Sequence, residues 1–333
     1  MRRRFSSRFV LAMGYAIVVL AVVSVTFTWY LSRFEWTDPE SGVIDHLYGD
    51  AYRPYVYRAL VPILVQGLEM IYPANPLVLT AAIMFLALLG FALAMRSLAT
   101  LFWKTRFVAE SASILAILAL FPFLIRDGKI YDFMALFLFT LGLLFMARQQ
   151  WNWFLVIFIL GCVNKETMVF LSVVFVVHYF RKIPARKYWS LVFLQGFAFG
   201  FIKFAITWFF KDNPGGIVQF HLADQIYTMT HFPYFTLLYG SFALCAAIFV
   251  FLDWRQKPGY LRSAATSLIP VVFLANLLFG GNFEIRAYLD LYPVLLLLSI
   301  PTFNRLYQAF VHPLGGAVAL QAAGNRESGI TKG

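Results

Sequence analysis

Charge is distributed along this chain in short clusters that separate long apolar runs, and the balance of sign changes from one cluster to the next. Hydrophobic residues make up 61% of the 333 residues and charged residues 13%, about half the charged share of a typical soluble domain. When the chain is threaded through a membrane, thirteen of the 16 acidic residues fall on one side and eighteen of the 27 basic residues on the other. Because an excess of Lys and Arg marks the cytoplasmic side, this split predicts the topology.

The apolar runs predict an all-α, polytopic transmembrane helix bundle of about ten spans with both termini in the cytoplasm. The spans are expected at about 9-31, 76-97, 108-125 and 132-147, at two short segments on either side of 164-167, and at 189-210, 236-252, 263-280 and 288-303. The first outer loop, 32-75, contains a short apolar segment at 57-72 that is expected to be a helix lying in the outer interface. Residues 1-310 form a single transmembrane domain, and the tail 311-333 is expected to be disordered and cytoplasmic.

The net charge of +11 would suit a nucleic-acid-binding protein. The basic residues, however, sit in clusters between apolar runs, which is the positive-inside pattern, so nucleic acid is not expected as a partner. The two cysteines, Cys162 and Cys245, both lie in apolar runs and form no metal-like spacing. The chain has no P-loop, no GxSxG and no HExxH motif, so nothing in it favours nucleotide binding, serine hydrolysis or zinc chemistry.

Ionisable side chains lie near the outer ends of the predicted spans, and Lys203 lies deeper, about 21 Å along its helix. Such groups are costly at membrane depth and usually face a polar cavity, so they indicate function. Lys and Arg at span ends could hold the phosphate of a lipid-linked substrate. A neighbouring carboxylate could act as a general base on an acceptor hydroxyl. Asp38 and Glu40, by contrast, have the pattern of turn residues.

Three segments of the sequence resemble the GT-C superfamily of polytopic membrane glycosyltransferases, which use sugars linked to polyprenyl or dolichyl phosphate. The first is Asp45 with the downstream stretch Tyr52–Pro62 in the first outer loop. The second is the tetrapeptide Asn164–Thr167 between two short apolar segments, and the third is Glu284–Tyr288 with Pro293 in the last span. Together they cover about a fifth of the chain; many family members place two acids side by side in the first loop, whereas here Asp45 and Asp50 are five residues apart.

The resemblance implies an inverting glycosyltransferase for cell-envelope glycan or glycolipid assembly, with a polyprenyl-phosphate sugar donor, a glycan or glycolipid acceptor and no cofactor. Asp45 or Asp50 is the candidate catalytic base. The candidates for binding the substrate or its phosphate are Arg53, Arg58, Lys165, Glu166, Lys203, Glu284 and Arg286. The candidates for the acceptor site are Asp127, Asp132 and His221, and no spacing of ligands argues for a metal. The expected location is the bacterial inner membrane, with the active site facing outward.

Two other functions are alternatives to this one. A transporter or flippase of a glycolipid could use the same cationic cavity without chemistry, but transporters tend to carry inverted repeats and charges near the midplane. Here no repeat is visible and the charges gather at one face. An acyl- or phosphotransferase would be expected to carry a His-rich or Ser/His signature, which the sequence lacks.

Overall fold

The structure is a computed structural model that describes residues 7–124, 128–281 and 284–311. Within these ranges every regular element is a helix, apart from one isolated β-bridge between Arg53 and Gly215. The prediction of an all-α chain is therefore confirmed for the described residues. The tail 312–333 and Asp127 lie outside them.

Helices account for each of the ten segments predicted to span the membrane and for three further segments between them. In chain order they are α1 (Ser7–Leu31), α2 (Val43–Tyr48), α3 (Leu60–Ile71), α4 (Pro76–Ala99), α5 (Arg106–Leu118), α6 (Phe121–Leu124), α7 (Asp132–Ala147), α8 (Trp151–Asn164), α9 (Phe170–Tyr179), α10 (Ala185–Phe209), α11 (Leu222–His231), α12 (Pro233–Phe251), α13 (Gly259–Phe279) and α14 (Tyr292–Val311).

Five of the described helical segments are long and apolar enough to cross a membrane: α1, α4, α5 with α6, α10 and α13. A sixth is added if α11 and α12, which meet at a bend of 97°, are counted as one span. Helices α7, α8 and α9 are shorter, with 16, 14 and 10 residues. At about 1.5 Å per residue none of these three reaches the roughly 30 Å of a bilayer core. The count of ten spans thus remains a prediction.

The core of the bundle lies between α4 and α7, which pack closely against each other. Phe91 of α4 and Phe139 of α7 are completely buried. Helix α10 is the opposite case, because its aromatic side chains, such as Phe197 at 61% and Phe204 at 67%, are exposed. Exposed apolar surface on this scale is costly in water. Together with the long apolar helices, it is compatible with an integral membrane protein.

The segment predicted as an interfacial helix at 57-72 forms α3, which begins three residues later than expected. A 3₁₀ turn at Tyr55–Tyr57 precedes it. Arg58, with ψ 68°, separates this turn from the helix. The amide of the next residue, Ala59, donates to the carbonyl of Val163 at the end of α8, 3.0 Å away. Helix α3 buries Val61 and Val65 and exposes apolar side chains such as Met70 and Ile71, which suits a helix at a membrane interface.

Candidate functional site

Six charged side chains from four separate segments meet at one end of the bundle and form what we call the buried ion cluster: Arg58, Asp132, Lys165, Glu166, Glu284 and Arg286. Asp132, the first residue of α7, is at its centre and is 3% exposed. Its Oδ2 lies 3.3 Å from Nη1 of Arg286, and its Oδ1 lies 3.9 Å from Nζ of Lys165. The second guanidinium nitrogen of Arg286 is 2.7 Å from Glu284.

Arg58 and Glu166 form the second half of the cluster. Nη2 of Arg58 lies 3.0 Å from Oε1 of Glu166, and Nη1 donates to the hydroxyl of Tyr131, the residue before Asp132. The guanidinium also lies over the Tyr131 ring, 4.5 Å from its centre. Burial lowers the pKa of Arg58, but the electrostatic effects of Glu166 and Tyr131 and the hydrogen bond to Glu166 together raise it above its ordinary value. Arg58 is therefore a permanent cation held by a carboxylate and an aromatic ring.

The break between α8 and α9 places Lys165 and Glu166 in this cluster. Lys165 adopts an extended conformation (φ −160°, ψ 137°) that ends α8, and a 3₁₀ turn at Glu166–Val169 then leads into α9. The amide of the Asn164 side chain donates to the carbonyl of Tyr131 at 3.1 Å. Gly161 allows Met168 to pack against α8, since a Cβ at this position would lie 2.2 Å from the Met168 methyl carbon. The turn is thereby fixed from both sides.

A further ion pair extends the cluster into the first outer loop. Nζ of Lys129 lies 2.8 Å from Oδ2 of Asp38. The backbone amide of Lys129 donates to Oδ2 of Asp132 at 2.9 Å. Burial raises the pKa of Asp38, but the hydrogen bonds from Lys129, Glu40 and Ser41, together with the charge of Lys129, outweigh it and lower the pKa to about 2. Oδ1 of Asp38 also accepts from the backbone amides of Glu40 and Ser41. Asp38 is thus a turn residue, as its sequence pattern indicates, and an ion-pair partner as well.

The two candidate bases lie in the same loop as these groups but face outward. Asp45 and Asp50 are both exposed, and among the described residues neither side chain makes a hydrogen bond or an ion pair. The residue after Asp45 points inward instead: His46 is 3% exposed, and its ring nitrogen lies 3.2 Å from the carbonyl of Arg58. Burial, with a contribution from the Arg58 charge, lowers the pKa of His46 to about 4. Helix α2 therefore borders the cluster through His46.

Two of the candidate phosphate ligands lie at the edge of the cluster. The ammonium of Lys203 lies over the Tyr57 ring, 4.6 Å from its centre, on the side of the cluster that carries Glu166. Arg53 is already bound, because its guanidinium donates to the carbonyls of Lys211 and Gly215 at 2.9 and 2.7 Å. These bonds hold the first outer loop against the loop after α10, so the observed role of Arg53 is structural.

The candidates for the acceptor site do not come together in the described part of the chain. Asp132 is at the centre of the cluster. His221 instead lies 3.1 Å from the exposed Asp224, and its amide donates to the carbonyl of Leu278 at the end of α13. Asp127 lies outside the described residues. No group of three or more His, Cys, Asp or Glu side chains in the described ranges is arranged to hold a metal ion.

The sequence did not predict the tyrosines that contact the cations of this site. Tyr131 binds Arg58 through both its hydroxyl and its ring, and the Tyr55 ring lies 5.4 Å from the ammonium of Lys129. Tyrosines are frequent in membrane proteins, so nothing in the sequence singled these two out. Asp290, two residues before α14, is completely buried, and neither of its carboxylate oxygens has a hydrogen-bond partner among the described residues.

The geometry sets the chemistry that this region could support. Arg58, Lys129 and Arg286 each lie within 3.3 Å of a carboxylate, whereas Lys165 is held only at 3.9 Å and Lys203 has no carboxylate within 4.0 Å in the described part. Because a bound phosphate must compete with existing ion pairs, Lys165 and Lys203 are the cations most available to it. No family model, curated protein or solved structure matches this chain.

Proposed function

We propose that this chain is a membrane glycosyltransferase that transfers a sugar, with inversion, from a polyprenyl-phosphate-linked donor to a glycan or glycolipid acceptor on the non-cytoplasmic face. The observation that carries this proposal is the meeting of three distant segments in one buried ion cluster. Arg58 comes from the first outer loop, Lys165 and Glu166 from the turn after α8, and Glu284 and Arg286 from the segment before α14. These are the segments whose sequences resemble the GT-C superfamily.

The donor phosphate binds, in this proposal, between Lys165 and Lys203, with Arg58 beside it. Lys165 is the least tightly paired cation of the cluster, and Lys203 projects from α10 next to the Arg58–Glu166 pair. The lipid tail lies along the exposed apolar face of α10, where Phe197, Phe201 and Phe204 are each more than 60% exposed. A cationic site at membrane depth beside an apolar helix face matches an amphiphile whose phosphate leaves as the anion.

The acceptor is activated from the opposite side, by Asp45 or Asp50. Their exposed carboxylates are open to an incoming hydroxyl, as a general base requires. As the hydroxyl oxygen attacks the anomeric carbon, the bond from that carbon to the phosphate oxygen breaks. The proton passes to the carboxylate, and the polyprenyl phosphate leaves with the electron pair. We place the protein in the bacterial inner membrane with this site facing outward.

The test is release of polyprenyl phosphate from a panel of polyprenyl-phosphate sugars by the purified chain in lipid, with acceptor glycolipids present. We expect Asp45→Asn or Asp50→Asn to reduce release by at least a hundredfold. The matched control, Asp212→Asn, removes an exposed outer-loop carboxylate and is expected to change release less than twofold. Lys165→Gln with Lys203→Gln should weaken donor binding about tenfold or more.

Three results would count against the proposal. Donor that binds and crosses the bilayer without release of polyprenyl phosphate would indicate a transporter. Release that is unchanged in both aspartate variants would remove these residues as the base. Donor binding that does not respond to the double lysine variant would remove the buried ion cluster as the phosphate site.

A further inference from the structure

A cavity lies at the end of the bundle opposite the buried ion cluster. Its volume is about 330 Å³, and it is formed where α4, α7 and α9 end and α13 begins. This is the end of the bundle that the charge distribution predicts to be cytoplasmic. Its lining residues come from all four elements: Leu101, Phe102, Ala147, Arg148, Gln149, His178, Tyr179, Lys182 and Tyr260.

The polar part of the lining is cationic and has no acidic side chain. Arg148 and Lys182 are its two formal charges, and Nζ of Lys182 lies 3.3 Å from Nδ1 of His178. The two acidic residues described at this end of the bundle are bound elsewhere: Glu110 pairs with Arg96 and Arg106, and Asp253 pairs with Arg305. Among the described residues, neither Arg148 nor Lys182 pairs with a carboxylate.

The helix ends around the cavity modify this charge without reversing it. Three C-termini contribute roughly half a negative charge each and the N-terminus of α13 about half a positive charge. The two basic side chains carry two full charges, so the cavity keeps a net positive charge of about one. The tyrosine hydroxyls in the lining are already used, since Tyr179 donates to Met146 and Tyr260 to Leu143. The positive charge available to a bound anion is therefore that of Arg148 and Lys182, with the polar side chains of Gln149 and His178 beside them.

The remaining lining is apolar, which narrows the class of anion. Leu101, Phe102 and Ala147 form one wall, and Phe102 stacks on Tyr260 with a centroid distance of 5.9 Å. Phe107 and Phe180, close along the chain, are 79% and 53% exposed and suit a membrane interface. Basic pockets between the cytoplasmic ends of membrane helices bind phospholipid head groups. We propose that this cavity binds the phosphate of an anionic membrane lipid, independently of the function proposed for the other end.

The test uses the purified full chain in detergent, with phosphatidylglycerol or phosphatidylcholine added, and measures retained lipid by native mass spectrometry together with the thermal midpoint. We expect phosphatidylglycerol to be retained in preference and to raise the midpoint. Arg148→Gln with Lys182→Gln should weaken its binding about tenfold or more. The control, Lys104→Gln with Arg255→Gln, removes the same charge from exposed positions at the same end, outside the cavity, and should change binding less than twofold.

A second variant changes the shape of the cavity and leaves its charge unchanged. Ala147→Phe fills the apolar wall and should also abolish preferential retention. The proposal would be overturned if the control variant lost as much phosphatidylglycerol binding as the variant of Arg148 and Lys182. Binding would then depend on the net charge of this end of the bundle and not on the cavity. Equal retention of the two lipids by the native chain would also overturn the proposal. Millimolar inorganic phosphate that protects the chain as well as the lipid does would make soluble phosphate the ligand and overturn the lipid assignment.

Discussion

At the scale of single residues, Asp132 decides whether the buried ion cluster holds together. It is the carboxylate that lies between Lys165 and Arg286, and all three residues are less than 10% exposed. Removing one partner of a buried ion pair leaves an uncompensated charge. We expect Asp132→Asn to lower the free energy of unfolding by about 3 kcal/mol, measured by equilibrium denaturation in mixed micelles.

The control for this variant is Asp253→Asn. Asp253 pairs with Arg305 at 2.6 Å, but the Arg305 side chain is 67% exposed. Exposed pairs contribute about 0–1 kcal/mol, so this variant should unfold almost like the native chain. If both variants cost the same small amount, the cluster contributes little to stability and Asp132 does not act as its centre.

His46 gives the site a pH dependence of known sign. Its pKa falls from 6.5 to about 4 because the ring is buried and lies beside Arg58. The unfolded chain therefore binds a proton between pH 6.5 and 4 that the folded chain does not, and stability falls as the pH is lowered through this window. The shift corresponds to a loss of about 3 kcal/mol. His46→Gln should remove this part of the slope of unfolding free energy against pH.

The native chain provides the comparison for that measurement, with its unfolding free energy followed over the same pH range. A slope that is unchanged by His46→Gln would mean that the imidazole is solvated in the native protein and that α2 does not border the cluster.

At the scale of elements, the sequence predicted where the helices break but not what the breaks contact. The tetrapeptide Asn164–Thr167 interrupts an apolar stretch of about 30 residues, and the structure has the end of α8 and a 3₁₀ turn at this point. Helices α7 and α8 are apolar on all sides, so periodicity could not indicate which faces meet. The contact between Lys165 and Asp132 was therefore not predictable from either segment alone.

The same turn depends on a close approach at Gly161. A Cβ there would lie 2.2 Å from the methyl carbon of Met168 and 2.7 Å from its Cγ. We expect Gly161→Val to displace the turn that carries Lys165 and Glu166, and to lower the free energy of unfolding by about 1–3 kcal/mol. The release of polyprenyl phosphate proposed above should fall with it.

Gly196 is the matched position in an uncrowded helix. A Cβ at Gly196, in α10, meets nothing within 4 Å. Gly196→Ala is expected to be neutral or to stabilise the chain by about 0.5–1 kcal/mol, because alanine loses less backbone entropy in a helix. If both variants were destabilised, the loss would come from replacing a helical glycine and not from crowding against Met168.

At the scale of the whole molecule, composition and charge pattern were enough for the fold class, whereas side-chain direction was not. A helix occurs at each of the ten segments predicted as spans. The sequence also placed charged residues from distant segments at one end of the bundle, and six of them form the buried ion cluster. It could not show that His46 faces inward while Asp45 faces outward. That difference depends on how the six residues of α2 pack, and a helix this short has too few positions for a readable period.

The arrangement of the two ends across the membrane is the last prediction, and it requires that α7 crosses. It does not depend on whether α8 and α9 each cross or form a re-entrant pair, because in both cases the residues before α8 and after α9 lie on the same side. The positive-inside pattern then predicts that Asp50 and Asp212 lie outside and that Lys104 and Arg255 lie in the cytoplasm. All four side chains are exposed.

Single cysteines at these four positions, in a chain with Cys245→Ser, allow a direct test, since Cys162 is buried. A membrane-impermeant maleimide should label Asp50→Cys and Asp212→Cys in intact cells, and Lys104→Cys and Arg255→Cys only after lysis. Labelling of Lys104→Cys in intact cells would place the basic end outside. The buried ion cluster would then face the cytoplasm, where no outward-facing transfer could use it, and the lipid cavity would face the outer leaflet. One labelling pattern therefore tests the orientation on which both proposals depend.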